Sequence, residues 1–254
     1  IDVSTSSANV TLSQIAPPIF TDDDTVDDIV ADDDPAILGA IRFGSGNDTI
    51  NLFAGAIAGD VAFGAGADQF NINNGATYVG SITDTDGLLT INVQDGSLAF
   101  AGGTLSITSA TFGANSTFGA LLSAVPSETT NITASGSITF VAGATIAPII
   151  PLGLPVFGSY TFLTANGGMF GAANVVGDVG GANAPYLYDI LIGATNPIVE
   201  GAPNALQATF ELKTAAELGL SANQGIALDP ILEALRLDTT AAAAMAAITS
   251  QYEF

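Results

Sequence analysis

Between Ile41 and about Pro126 the chain alternates apolar and polar residues in short bursts, at Val61–Phe63, Phe70–Ile72, Leu89–Val93, Leu98–Phe100 and Leu105–Thr108. Period-two alternation of this kind predicts strands with one buried face, and the Gly, Asn and Asp residues between the bursts predict tight corners. Helical periodicity is absent from this stretch. Within it one phrase occurs twice, first as Phe43-Gly-Ser-Gly-Asn-Asp48-Thr-Ile-Asn-Leu52 and again as Phe63-Gly-Ala-Gly-Ala-Asp68-Gln-Phe-Asn-Ile72. A repeat with a period of about 20 residues marks a unit that cannot bury its apolar face alone and must stack on copies of itself. The expected fold is therefore mainly β, a right-handed parallel β-helix (β-solenoid) in which each coil advances about 4.8 Å along the stack.

The pattern changes on either side. Residues 1–40 read as an acidic N-terminal segment, with Asp22, Asp23, Asp24, Asp27, Asp28, Asp32, Asp33 and Asp34 crowded together. Such a run is ordinarily solvated, and ordering it requires bound cations or a packed neighbour. Residues 41–127 are assigned to the coils and 128–212 to a less regular C-terminal cap, which would cover the open sheet edge at the end of a solenoid. The apolar stretch Thr145–Phe157 carries Pro148, Pro151 and Pro155 and reads as a loop. Residues 213–254 read as an Ala-rich helical segment. Ser221 and Gln224 have capping-box spacing, Asp229-Pro230 offers a second helix start, and Thr239 a third. Ile231, Leu232, Leu235 and Leu237 read as a packing face, since basic flanks for a membrane surface are missing.

Composition narrows the chemistry. With 25 acidic and 3 basic residues the net charge is −22, which repels nucleic acid and anionic lipid. The chain has no Cys and no His, so thiolate nucleophiles, Ser-His-Asp triads and the usual zinc ligands are unavailable. Only Arg42, Lys213 and Arg236 can clamp an anion, and no apolar run is long enough to span a bilayer as a helix. Between Asp95 and Asp178 the only charged residue is Glu128, leaving a long surface whose polarity comes from Ser, Thr and Asn. Large faces of this kind usually touch something.

Three sets of carboxylates invite chemical readings. The Gly-x-Gly-x-Asp phrase resembles the calcium-binding repeat-in-toxin motif, so Asp48 and Asp68 can be read as Ca2+ ligands or as caps that bond local backbone amides. The aspartates from Asp22 to Asp34 are candidates for looser Ca2+ binding, against a plain solvated face. Asp84 with Asp86, or Asp60 with Asp68, has the residue types of a glycosidase acid pair, but no aromatic sugar platform accompanies either.

Farther along, Ala134-Ser-Gly-Ser-Ile-Thr-Phe-Val-Ala-Gly-Ala-Thr-Ile146, Gly158-Ser-Tyr-Thr-Phe-Leu-Thr-Ala-Asn-Gly-Gly168 and Leu212-Lys-Thr-Ala-Ala-Glu-Leu-Gly-Leu220 resemble the C-terminal part of autotransporter passenger domains. That resemblance covers roughly residues 41–254. It implies type V secretion to the surface of a Gram-negative bacterium, a cap that aids folding, and a translocating outer-membrane β-barrel after Phe254. The chain, opening at Ile1 without a signal peptide, is then read as a mature or excised fragment. The function expected is a non-catalytic, secreted or cell-surface structural protein that associates with copies of itself. An adhesin-type module for glycans or proteins and a polysaccharide-acting enzyme stand as alternatives.

Overall fold

The computed structural model describes residues 1–16, 35–123, 128–150, 158–178, 188–199, 202–221 and 223–228, together with Pro230. The chain is mainly β, with long parallel sheets. A first row of strands runs Thr11–Gln14, Thr49–Leu52, Gln69–Ile72, the first half of Thr90–Phe100 and the first half of Ser109–Leu121, then Ile138–Phe140 and Met169–Phe170. A second row runs Ala36–Leu38, Ala56–Ala58, Ala76–Gly80, the second halves of the same two long strands, and Thr145–Ile149. The long strands turn from one row to the other at a register shift between Val93 and Asp95. A third row holds Ile41–Arg42, Val61–Phe63 and Ile82–Asp84, and Thr104–Ile107 lies next to its last strand.

The register explains the repeated phrase. Thr49 pairs with Gln69 and Ile50 with Phe70, each with its counterpart one repeat on, so the two copies lie side by side. Each apolar position consequently stacks on its counterpart. One column runs Leu12, Ile50, Phe70, Ile91, Ala110, Ile138 and Met169; another runs Ile37, Ile57, Tyr78, Leu98, Phe118 and Ile146. Aromatic members stack in turn, with ring centroids 5.4 Å apart for Phe43 and Phe63 and 5.0 Å for Phe112 and Phe140. Burying these columns against one another is the main stabilising term, since no single strand hides its apolar side alone. Glycine is required where neighbouring corners touch: a Cβ on Gly64 would collide with the Gly44 carbonyl oxygen.

Three findings differ from or extend the sequence expectation. Strand pairing begins before Ile41, because Thr11–Gln14 and Ala36–Leu38 already pair with the next strands of their rows. Thr11 lies beside Thr49, whereas Thr49 lies beside Gln69; the first step exceeds the second by the length of segment 17–34. Second, the proline-rich stretch read as a loop contributes the strand Thr145–Ile149, with Pro148 paired to Ala120. It is tolerated because, among the described residues, the strand ends its row, where a missing N–H breaks no ladder on the outer side; Pro151 and Pro155 lie outside the described residues.

Third, antiparallel pairing joins the parallel rows at Gly158–Ala165, which pairs in parallel with Asn131–Ala134 on one side and receives antiparallel Ala202–Leu212 on the other, itself paired with Tyr188–Val199. The Ser221 box forms as expected. The Gln224 carbonyl oxygen accepts from the Ser221 amide at 2.9 Å and from its hydroxyl at 2.7 Å, opening a helical turn at 223–228. A second box, Thr214 with Glu217, precedes it. Asp229 and residues 231–254, with the further helix starts expected there, lie outside the described residues.

Candidate functional site: an aspartate corner and two uncharged faces

Asp48 and Asp68 occupy the same corner of successive strand layers and are 0% and 1% exposed. The Asp48 carboxylate accepts the Val10 amide at 2.7 Å, and the Asp68 carboxylate accepts the Asp48 amide at 2.6 Å. One oxygen of each carboxylate is thus committed to the backbone of the layer before it. The other oxygen, Oδ2 in both residues, is buried without a partner. Burial foremost, then the charges of Asp48, Asp84 and Asp86, pushes the Asp68 carboxyl up to about 6, against the pull of its bond from the Asp48 amide. The ladder stops at the following layer, where Leu89 replaces the aspartate and its amide is taken by Asp84 at 3.0 Å.

The capping alternative expected bonds to local amides; both carboxylates instead take amides of the preceding strand layer, 38 and 20 residues away in sequence. Calcium takes about six to eight oxygens. Asp48 and Asp68 offer two free ones between them, and among the described residues no group of three acidic side chains converges as a metal site would. Asp22, Asp23, Asp24, Asp27, Asp28, Asp32, Asp33 and Asp34 lie outside the described residues. Asp84 and Asp86 also hold backbone: Asp86 accepts the Gly66 amide at 2.8 Å and the Leu88 amide at 3.1 Å, and burial raises the Asp84 carboxyl. Asp60 accepts the Ser81 hydroxyl.

Sequence reasoning missed an asparagine ladder beside this corner. The Asn71 amide donates to Asn51 at 2.9 Å, and the Asn92 amide donates to Asn71 at 3.0 Å. Asn51 in turn donates to the Ser13 hydroxyl at 3.3 Å. The signal was present, since Asn51 and Asn71 hold the same place in the repeated phrase.

The ladder belongs to the outward side of the first row. That side carries Thr11, Thr49, Gln69, Thr90 and Ser109 in one line, and Ser13, Asn51, Asn71, Asn92, Thr111 and Thr139 in the next. Outward positions of the second row form a line of Thr77, Ser97, Thr117 and Thr145, with the Thr117 and Thr145 hydroxyls 3.0 Å apart. Beside it runs a line of small apolar residues: Ala58, Val79, Ala99, Gly119 and Ala147. None of these positions is charged. The cations lie elsewhere, with Arg42 4.0 Å from Asp2 and Lys213 3.7 Å from Asp189, while Arg236 is outside the described residues.

No protein-family model matches this chain, and neither the curated proteins nor the solved structures searched include a match. Among the described residues no helix is long and apolar enough to cross a membrane.

Proposed function

We propose that this chain is a right-handed β-solenoid acting as a non-catalytic structural protein, which associates side by side with copies of itself through its uncharged faces. The observation that carries the reading is the distribution of charge. In a chain of net charge −22, the strands of these two adjoining rows, six of them in succession in the second row, carry one charged residue, Asp95, where the rows join. At about 4.8 Å per strand such a row is roughly 25–30 Å long. Elsewhere the acidic surface repels a second copy, so the neutral rows are where close approach costs least.

The solenoid reading is supported by a nearly constant step that recurs in all three rows: Thr49 to Gln69 to Thr90, Ala36 to Ala56 to Thr77, and Ile41 to Val61 to Ile82. Its hand follows the strong right-handed preference of parallel strand crossovers. The resemblance to autotransporter passengers would place the assembly outside a Gram-negative cell.

The test is sedimentation of the purified chain over a wide concentration range, with electron microscopy of the concentrated sample. Concentration-dependent association, abolished by Thr117→Lys with Ala99→Glu on the second row, is the expected result. A strict monomer at millimolar concentration, without ordered assemblies in the microscope, would overturn the proposal.

A further inference from the structure

Asparagine stands directly before glycine at two places in the chain, Asn74-Gly75 and Asn166-Gly167. After every other asparagine comes a residue with a side chain, which crowds the peptide nitrogen between the two. A glycine nitrogen is free of that crowding and can reach the side-chain carbonyl carbon of the asparagine ahead of it, the chemistry that makes asparagine a labile residue. The fold treats the two pairs differently.

Asn74 and Gly75 form the tip of the corner between Gln69–Ile72 and Ala76–Gly80, and both are exposed. Their φ angles are 55° and 76°, and the Ala76 amide donates to the Asn73 carbonyl at 3.1 Å, as in a type I′ turn. Among the described residues Asn74 is the one residue other than glycine with a positive φ, so its backbone starts from a strained conformation that costs less to leave. Asn73 Oδ1 accepts the Asn74 amide at 2.9 Å, while the Asn74 side chain itself makes no hydrogen bond among the described residues. A Cβ built on Gly75 would meet nothing within 4 Å. The Gly75 nitrogen is held by one bond, donated to the Asp95 carbonyl at 3.1 Å, toward the long end of the usual range.

The second pair is enclosed. Asn166 and Gly167 donate their amides to the Ala134 and Gly136 carbonyls at 2.9 Å each, and a Cβ on Gly167 would lie 2.8 Å from the Gly136 carbonyl carbon. The attacking nitrogen is there pressed against the neighbouring layer.

We propose that Asn74 is a self-modification site, deamidating through the Gly75 nitrogen. That nitrogen loses its proton to water or hydroxide and forms a bond to Asn74 Cγ; the Cγ–Nδ2 bond breaks, and ammonia leaves after taking up a proton. Water then opens the five-membered ring at either carbonyl, giving aspartate or, where the backbone comes to run through the side-chain carbons, isoaspartate. Water is the one co-reactant. Each event adds a carboxylate in the layer next to Asp95, at the corner joining the two neutral rows, and isoaspartate also lengthens the turn by one backbone carbon. The reaction does not depend on self-association.

The purified chain is held at mildly alkaline pH under native conditions and, in parallel, in urea. Samples are followed by peptide mapping with mass spectrometry and by methyl labelling with an isoaspartate-specific methyltransferase. In the folded chain Asn74 should convert at least about tenfold faster than Asn166, since closeness of approach decides such rates. Its rate should rise with pH, and both isoaspartate and aspartate should form. In urea the two asparagines should convert at similar rates, which assigns the difference to the fold. Asn74→Gln, whose longer side chain cannot close the same ring, should abolish the added acidic species resolved by ion exchange; if that variant does not fold, the unaltered chain in and out of urea decides. Equal rates at Asn74 and Asn166 in the folded chain, or an Asn74 that stays intact when folded yet converts in urea, would overturn the inference. So would aspartate formed without isoaspartate, which would mean hydrolysis without the ring.

Discussion

Replacing Asp68 with Asn exchanges a buried ionisable group for a neutral one of nearly the same shape. The Asn side-chain oxygen can still accept the Asp48 amide, now 2.6 Å from the carboxylate, so the cap survives. What changes is the dependence on pH. The folded chain holds the Asp68 carboxyl at about 6, above its ordinary value of 3.8, so the folded state binds this proton more tightly than the unfolded state does. Stability associated with Asp68 is therefore fully present below the unfolded value and is lost as the pH rises through about 6.

The rise from 3.8 to about 6 makes the cost of the ionised group about 3 kcal/mol at neutral pH, as an upper bound. Part of the gain from removing it is offset by the new NH2 group, which meets the unpartnered surroundings of Oδ2 at a cost of about 1–2 kcal/mol. The offset does not vary with pH. Urea unfolding of both proteins between pH 4.5 and 8 at fixed ionic strength isolates the effect, because repulsion among the other carboxylates is common to the two. The expected result is an Asp68→Asn advantage that grows by about 2 kcal/mol from pH 4.5 to 8, the remainder of the effect lying below that range. A difference that stays flat across the range, or that shrinks as the pH rises, would refute the account of this corner.

Two further outcomes follow from the packing. Deleting residues 17–34, so that Ala16 joins Pro35, should leave Tm and the strand signature unchanged, because the shortened layer regains the step of its neighbour; circular dichroism and calorimetry check it, and a large drop in Tm would contradict the register argument. Gly64→Ala should destabilise the chain by about 3 kcal/mol or more, measured by urea unfolding, since its Cβ meets backbone rather than a yielding side chain.

Much of the middle of the fold was legible because the layer step there is nearly constant. The duplicated Phe43 and Phe63 phrases announced the step, and the alternation around Phe70–Ile72 and Leu89–Val93 announced which residues line the interior. Reading failed where the step was disguised. Segment 17–34 separates the two strands of the first layer, so Thr11–Gln14 carries no visible echo of Thr49–Leu52 until the intervening residues are removed. Pro148 misled because propensity does not distinguish a terminal strand from a central one. The antiparallel return of Ala202–Leu212 was invisible, since alternation is the same in either direction. At the corner, residue types at Asp48 and Asp68 permitted both capping and calcium, and nothing in them announced that each carboxylate would take an amide of the preceding strand layer rather than a local one.

Gln14 gives the first layer an unusual freedom. Its buried side-chain amide donates to the Pro35 and Ala54 carbonyls at 2.8 Å each and to Ala56 at 3.2 Å, fastening the bend from both sides of the interruption. The bend is thereby held by contacts made outside segment 17–34. The length and composition of that segment can drift, or be replaced outright by a foreign epitope or enzyme tag, while the scaffold beneath keeps its spacing.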